Sequence, residues 1–519
     1  MKYQHYITAT FLVVFCFGCK KDLDETVFTS LNPDKIYSTR ADIDAAVVSA
    51  FSIYNQAPTM LFPVFDVQSE YLSSSELPNI KTFEDYNYTS ATATTGNFFI
   101  HSYIAINRAN AIIERVPVQG LKTAEALRNT YIAEAKWLRS WSYFNLIRLY
   151  GSVPLKLKES LVVSDFTASK SSVKIIYAAI VADLQDAILN LPNKRTASVI
   201  SERGRPNKGT AKFLLAKVYL TMAGLPLNDA SHLAEARDLL LDLYNLRSDY
   251  GFSLFANFYQ NFSLDNTALN PVYQSGLKVM GSDPTEIVFA MGHSTSTSPL
   301  FPSTMSYYTL PAGSAESSNG GSNLIGVTSQ FETLYESADK RKDVTILPQW
   351  TNFTTRVLNV YGAGSYGLPG GLAQGYYIGK YRAQSGRVGA GIPTFDNDQI
   401  IYRFADVYLM LAEVYNELEG PTTNAFKYLN ELRARSTASA SLSNIVDTQQ
   451  KFRDVIYFER LREFIYEGHV IFDLRRWGKL QQAMLADPRP FATRPVYKPE
   501  YELFPIPRVE EINNPLLNN

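Results

Sequence analysis

The sequence predicts a mainly α-helical protein, in which tetratricopeptide-like helix pairs form a scaffold around a loop-rich, strand-poor region. Three observations predict this fold class. Apolar residues recur at spacings of three and four over long stretches in both halves of the chain. Two of these stretches resemble each other. Residues 250–398, between them, contain no long periodic segment and are rich in Gly, Pro, Ser and Thr.

Each helix is inferred from the spacing of its large apolar side chains. In residues 123–150, for example, Ala133, Trp137, Trp141 and Phe144 fall on one face of a helix. The same periodicity predicts helices over residues 100–116, 173–191, 208–223 and 229–246, and over almost the whole of residues 399–484.

An internal repeat indicates how these helices are arranged. Residues 213–224 align without gaps on residues 409–420, and Leu, Ala, Val, Tyr and a final Gly coincide. Each copy is followed by another predicted helix, and residues 137–151 form a looser third copy. Helix pairs with small residues at the crossing are typical of tetratricopeptide-type stacking. We therefore expect a scaffold of a few helical hairpins.

Two regions lack helical periodicity and are expected to carry function, because a scaffold holds loops and loops make contacts. Residues 61–96 combine aromatic residues with Ser, Thr, Asn and Asp. Residues 250–398 are also aromatic-rich and include short strand candidates such as residues 286–290.

The N-terminus predicts export. Lys2 is followed by a short apolar run, residues 7–17, and then by the small residue Gly18. The run is too short to cross a bilayer, which needs about 20 residues, and no later segment is long and apolar enough to do so. Residues 1–18 are therefore predicted to be a signal peptide.

The cysteines identify the expected anchor. The chain has two, Cys16 and Cys19, and cleavage before Cys19 would leave that residue at the mature N-terminus, where a bacterial lipoprotein carries its lipid. We expect Cys19 to hold the protein on an outer membrane, with residues 19–37 as a lipidated tether. The alternative is an ordinary signal peptide, and Cys16 stands where such cleavage sites usually have Leu.

Charge and motif searches narrow the function classes. The chain has 49 basic and 50 acidic residues, so no basic surface indicates a nucleic-acid partner. The sequence contains no His-Glu-x-x-His, Gly-x-Ser-x-Gly or P-loop lysine motif. Residues 362–367 match Gly-x-Gly-x-x-Gly, but Pro369 follows, so no helix begins there to receive a pyrophosphate. We expect no catalytic residues, metal or cofactor.

The densest charged segment is residues 459–478. Glu459, Glu463 and Glu467 fall at i, i+4 and i+8 on one helical face. One interpretation joins them to His469 and Asp473 as a metal or catalytic cluster.

The favoured interpretation of this segment is structural. Arginine suits bidentate pairing with carboxylates, and Arg462, Arg475 and Arg476 lie in the same segment. We expect a partly buried charge network that fixes helix packing. Its predicted members are Glu459, Glu463, Glu467, Asp473, Arg475 and Arg476.

This segment resembles the SusD/RagB family of outer-membrane nutrient-binding lipoproteins. The resemblance extends, in the family's order, to residues 107–110, 133–144, 150–155, 402–413, 428–435, 503–507 and 514–515. It implies a scaffold of four tetratricopeptide-like helix pairs, in a helical region at residues 38–250 and a second one at residues 399–519. A ligand loop near residues 61–99 and a loop-rich insertion at residues 251–398 complete the expected domain organisation.

The resemblance also implies a function. Such lipoproteins capture oligosaccharides and deliver them to a SusC-like TonB-dependent β-barrel transporter, over which they sit as a lid. Some relatives take peptides, so peptide capture is the main alternative. A surface glycoside hydrolase, which needs only two carboxylates, is the alternative from another class.

Candidate ligand residues follow from the chemistry of sugars. A sugar ring has an apolar face and a polar rim, so an aromatic ring beside a polar donor suits it. Outside the helical repeats such groups concentrate in the two stretches from which, by resemblance, family ligand sites are built. The candidates are Lys81, Tyr86, Tyr88 and Phe98, and then Tyr307, Tyr308 and Trp350. The alternative for each ring is that it fills the core beneath a loop.

Overall fold

The first half of the chain folds into helices that pack one after another. The computed structural model describes residues 36–56, 61–74, 78–195, 204–262, 285–293, 303–311, 324–347, 349–351, 358–360, 375–381, 386–387, 394–395, 398–440, 445–488 and 495–518. The helices of this half are α1 (Arg40–Gln56), α2 (Leu61–Phe65), α3 (Pro78–Glu84), α4 (Ala93–Gln119), α5 (Glu125–Tyr150), α6 (Val173–Asn190), α7 (Lys208–Met222) and α8 (Leu233–Asn245).

The middle of the chain carries short elements, and helices return towards its end. The short helices are α9 (Met305–Thr309), α10 (Ser329–Glu332) and α11 (Arg341–Thr345). The strands are β1 (Leu72–Ser74), β2 (Ile287–Met291), β3 (Ile325–Thr328), β4 (Gln349–Thr351), β5 (Leu358–Val360), β6 (Gly375–Tyr377), β7 (Gly386–Arg387), β8 (Thr394–Phe395) and β9 (Gln399–Arg403). The last helices are α12 (Ala405–Glu419), α13 (Thr423–Arg435), α14 (Gln449–Phe464), α15 (Val470–Arg476), α16 (Leu480–Ala486) and α17 (Arg508–Asn513).

The long helices form one stack that runs through both helical regions. Helices α4 to α8 each pack on the next, α8 packs on α12, and α12 packs on α13 and α14. In α8 the buried residues Leu233, Ala236, Leu240 and Leu243 recur at three and four spacings, so one face of the helix is apolar. The mainly α-helical fold predicted from the sequence is confirmed.

Local signals set the ends of these helices. The Ser172 side chain accepts a hydrogen bond from the Ile175 amide at the start of α6. Asn207 and Thr210 form a reciprocal cap at the start of α7. Helix α12 stops at Gly420, whose φ of 83° lies in the left-handed region that glycine tolerates. Helices α6 and α7 therefore begin, and α12 ends, at residues suited to that role.

The strands pair across large separations in sequence. β3 is the centre of an antiparallel sheet with the order β1–β3–β6, in which Leu72 faces Val327 and Gly326 faces Tyr377. β2 pairs antiparallel with β9. The first sheet therefore joins the predicted ligand loop, which contains β1, to the loop-rich insertion.

Among the short elements, one prediction from the sequence is confirmed and two differ from the structure. Residues 286–290 were predicted as a strand, and β2 is observed there. Residues 399–403 were included in a helical stretch but form β9, which is buried throughout, because a short apolar run does not distinguish a buried strand from a helix. The loop-like residues 61–96 contain α2 and α3, which are too short to show a period.

The structure describes little of the N-terminal segment that is predicted to attach the protein to a membrane. Within the part of the chain that the structure describes, no helix has the length and apolar character needed to cross a membrane. Cys19, the predicted signal peptide and almost all of the tether lie outside the described residues.

Candidate functional site

The glutamates of the charged segment are buried in an arginine-rich network. Glu459, Glu463 and Glu467 are 0–2% exposed on and just beyond α14. Arg403, at the end of β9, donates from Nη1 to Glu463 Oε1 at 2.7 Å and from Nε to Glu467 Oε2 at 2.7 Å. Arg341 contacts Glu459 at 2.7 Å and Glu463 at 3.0 Å. These ion pairs therefore connect β9 and α11 to α14 and to the residues just beyond it.

Further cations and carboxylates complete this network. Lys380 donates to Glu467 at 2.7 Å, and Arg435 contacts Glu463 at 2.6 Å. Glu286, just before β2, accepts from Arg403 at 2.6 Å. Arg462 donates to Glu459 at 2.8 Å, as the structural interpretation predicted.

A second buried cluster contains Asp473 and Arg476. Arg476 donates from Nε to Asp473 Oδ1 at 2.8 Å and from Nη2 to Glu413 Oε2 at 2.8 Å. Arg460 donates to the other Asp473 oxygen at 2.6 Å and also pairs with Asp406. These contacts join α15 to α12 and α14, and the structural network predicted for Asp473 and Arg476 is present.

Arg475 does not take the predicted part in this network. Among the described residues it forms no ion pair, and its Nη atoms lie 3.4 Å from the carbonyl oxygens of Arg148 and Tyr501. Its guanidinium lies 4.9 Å from the centre of the Phe504 ring. Arg475 lies next to Arg476 on a short helix, so it projects in another direction, towards the C-terminal segment. The prediction that Arg475 is a member of the charge network is wrong.

The electrostatics of the network fit a structural role. Burial alone would raise the pKa of Glu459, but Arg341, Arg462 and Arg433 outweigh it and lower that pKa to about 2. Burial lowers the pKa of His469 to about 3, so His469 is neutral at ordinary pH. The described residues contain no group of three His, Cys, Asp or Glu side chains that could hold a metal. The carboxylates are bound to arginines rather than free to react.

The two predicted ligand stretches meet at the β1–β3–β6 sheet. Glu84, at the end of α3, accepts from the Ser74 amide at 3.0 Å, which fixes α3 to β1. Ser74 faces Ile325 on β3, and the neighbouring Leu324 amide donates to the Tyr308 carbonyl at 2.8 Å. The segment with Lys81 is thus linked, strand by strand, to the segment with Tyr307 and Tyr308.

The side chains at this junction are partly accessible. Lys81 is 17% exposed and lies 3.3 Å from Glu84 and 3.5 Å from Asp85. Tyr307 and Tyr308 are half-buried, with ring centres 5.6 Å apart at an interplanar angle of 79°. Burial raises the pKa of Tyr308, so its phenol is a neutral hydrogen-bonding group. We call the surface around Lys81, Tyr307 and Tyr308 the tyrosine face.

Three predicted ligand residues lie instead in the core. Phe98 is 0% exposed, and Tyr86 and Tyr88 are 4% and 8% exposed. Tyr86 donates to the Gln68 carbonyl at 2.7 Å, and Tyr88 donates to the Tyr501 carbonyl at 3.0 Å. Tyr86 and Tyr88 pack beneath the C-terminal segment, and Phe98 packs against Tyr54 and Phe62. In this structure the three rings therefore offer no platform to a ligand. This corrects the expectation from the sequence for these three residues.

Trp350 lies on β4, which pairs with β5 so that Trp350 faces Asn359. Its side chain is outside the described part of the structure. The preceding segment is close to the tyrosine face, because the Leu347 amide donates to the Tyr377 carbonyl on β6 at 2.9 Å. Leu347, Tyr377 and Leu310, which follows α9, also form a small buried cluster.

Comparison with known proteins decides the family. A profile described as the SusD family matches residues 297–517, and one described as starch-binding associating with outer membrane matches residues 22–220. SusD-like protein P25 of Formosa agariphila is 27% identical over 557 aligned residues, which cover 100% of this chain and 98% of that protein. The chain belongs to the SusD/RagB family.

Solved structures with the SusD fold superpose on the whole molecule. A SusD homolog from Bacteroides thetaiotaomicron gives a TM-score of 0.77 at 21% identity, and the match covers 94% of this chain and 97% of that one. A laminarin binding SusD-like protein gives 0.72 at 21% identity, with 92% and 98% covered. These TM-scores show a shared fold, and at identities this low they show the fold alone.

The sequence interpretation missed several partners in this SusD/RagB protein. Arg341, Lys380, Arg403 and Glu286 are all 0% exposed and complete the charge network. Each lies at least 56 positions before Glu459 in the sequence, so helical periodicity could not connect it to the glutamates. A compositional signal was available for Glu286 and Arg403, which are charged residues next to apolar ones.

Proposed function

We propose that this SusD/RagB protein binds oligosaccharides at the tyrosine face. The observation that carries the proposal is the β1–β3–β6 sheet, which brings Lys81 on α3 to the same region as Tyr307 and Tyr308 on α9. The family descriptions add support, since one of the matching profiles is described as starch-binding.

The chemistry of the tyrosine face suits a sugar. The two rings stand nearly perpendicular, so they offer an apolar surface to the C–H face of a pyranose together with phenol groups for its hydroxyls. The Lys81 ammonium is held by Glu84 and Asp85 and adds a positioned donor. A partly open surface of this kind favours affinities of roughly micromolar to millimolar.

The wider proposal places the protein on the outer membrane. Cys19 carries a lipid anchor, and bound oligosaccharide passes to a SusC-like TonB-dependent barrel without any bond being broken. The N-terminal residue pattern and the family's outer-membrane description support the location. The arginine-paired carboxylates of the charge network support binding over hydrolysis.

The test is calorimetric titration of the purified full chain with laminarin, starch and short peptides. We expect a polysaccharide to bind, and the double variant Tyr307→Ala/Tyr308→Ala to lower its affinity at least tenfold at an unchanged melting temperature. Tyr497→Ala is the matched control, because Tyr497 is another half-buried tyrosine on a different segment. Trp350→Ala tests whether β4 contributes to the same face.

Three outcomes would contradict the proposal. Unaltered glycan affinity in the folded double variant would remove the site from the tyrosine face. Binding of peptides alone would favour peptide capture, and release of shorter sugars from the titrated glycan would favour a glycoside hydrolase.

A further inference from the structure

A partly open cleft lies away from the tyrosine face. Its volume is about 350 Å³, and it is formed by α4, the segment at residues 154–166, and α17 with the residues that follow it. None of its lining residues belongs to α3, α9 or the β1–β3–β6 sheet. Pockets of roughly 300 Å³ and above accommodate small ligands, so this cleft has room for one or two sugar rings.

The walls of the cleft are aromatic and partly exposed. Phe99 and Tyr103 stand on α4 with ring centres 4.9 Å apart. Phe166, on the opposite wall, is 60% exposed, and Ile104 is 36% exposed. Exposed apolar side chains gathered around a concave site are a feature of ligand-binding surfaces.

Most of the hydrogen-bond donors described in the cleft are already engaged. Asn107 exchanges hydrogen bonds with the backbone of Ser160, and Tyr103 donates to the Pro154 carbonyl at 2.7 Å. Lys156 donates to the carbonyl oxygens of Asp165 and Thr167. Asn110, also on the wall, gives its amide hydrogens to the carbonyl oxygens of residues 156 and 158.

Two acceptors in the same cleft are unused. Asn514 is 5% exposed and donates from Nδ2 to the Ala168 carbonyl, but its Oδ1 has no partner. Glu510, one turn earlier in the chain, makes no side-chain hydrogen bond or ion pair among the described residues. Burial raises the pKa of Glu510. An unpaired buried acceptor costs about 1–3 kcal/mol, and a ligand that donates hydrogen bonds would remove that cost.

The lining residues limit the chemistry of that ligand. An anion would be repelled by the unpaired oxygens of Glu510 and Asn514. An amine would meet the cations Lys156 and Arg108 in the same lining. A neutral ring with adjacent hydroxyls satisfies both acceptors and packs its apolar face on Tyr103 or Phe166. We propose that this cleft is a second binding site, which takes a neutral mono- or disaccharide independently of the tyrosine face.

The test uses the purified full chain and saturation-transfer NMR followed by calorimetry. The probes are glucose, galactose, mannose, maltose and laminaribiose, with putrescine and gluconate as the cationic and anionic comparisons. We expect at least one neutral sugar to bind and to lose affinity tenfold or more in Glu510→Ala and in Phe166→Ala. Glu511→Ala is the matched control, since Glu511 lies on the same helix outside the cleft.

The double tyrosine variant distinguishes binding in the cleft from binding at the tyrosine face. Tyr307→Ala/Tyr308→Ala should leave binding of the small sugar unchanged, whatever happens to polysaccharide binding. The proposal is overturned if no neutral sugar binds, or if putrescine or gluconate binds more tightly. It is also overturned if Glu510→Ala and Phe166→Ala keep full affinity while melting at the wild-type temperature.

Discussion

Replacing Arg403 by Met should be among the most destabilising single changes in this protein. The Arg403 guanidinium is 0% exposed and donates to Glu286, Glu463 and Glu467, as well as to the Glu463 carbonyl at 2.9 Å. Methionine has a similar volume and leaves little cavity, so the change isolates the loss of charge and hydrogen bonds.

The expected loss of stability depends on which partners each carboxylate still has in the variant. Glu463 keeps Arg341 and Arg435, and Glu286 keeps Arg435 and the Phe255 amide. Glu467 keeps only Lys380 among its cations. The variant therefore resembles one broken buried pair rather than three, which costs about 3–5 kcal/mol. That is a large part of the roughly 5–15 kcal/mol that stabilises a typical domain.

The assay is equilibrium urea unfolding, followed by tryptophan fluorescence and far-UV circular dichroism. Arg453→Met is the matched control, because Arg453 also holds a glutamate, Glu417, with two hydrogen bonds. The Arg453 side chain is 42% exposed, so its loss should cost under about 1 kcal/mol. Equal losses in the two variants would refute the claim that burial makes the loss of Arg403 more costly than the loss of an exposed arginine.

Two further predictions concern the anchor and acid stability. Cys19→Ala should leave the body folded and release it from membranes, and fractionation of cells lacking the partner barrel should find it in the soluble fraction; quantitative retention would contradict the lipid anchor. Because the folded state holds the pKa of His469 near 3, below its ordinary 6.5, the unfolded chain takes up a proton first as pH falls. Stability should therefore decrease from pH 6.5 towards pH 3, by on the order of 4 kcal/mol from this group, and urea midpoints for His469→Gln should show a shallower decrease. A wild-type slope in that variant would assign the effect to other groups.

The repeats of the scaffold could be predicted because their determinants are local. On α5, for example, the large apolar residues Trp137, Trp141 and Phe144 recur with the helical period and are buried. The spacing of Glu459 and Glu463 likewise predicted a shared face, whereas Glu467, predicted on the same face, lies beyond the end of α14. These features depend on side chains that lie one or two turns apart.

The candidate ligand residues were harder to predict because their burial depends on distant segments. Tyr86 and Tyr88 lie in a polar, loop-like stretch, yet they are covered by Tyr501 and Phe504 from the C-terminal end. Arg475 points to that same segment, while its neighbour Arg476 points to α12. Local spacing identifies neither the covering segment nor the direction of a side chain on a short helix.

The charge network connects the scaffold to the proposed ligand face. Lys380 follows β6 closely and donates to Glu467 and to the Glu463 and Ile465 carbonyls. Arg341 lies on α11, where Ile346 bridges to Ile378 beside β6. Both cations thus hold segments of the loop-rich insertion against α14. Burying so many charges is a weak source of stability when compared with apolar packing, but ion pairs with fixed geometry determine where those segments lie. The network therefore positions β6, and through β3 the tyrosine face, relative to the helical stack.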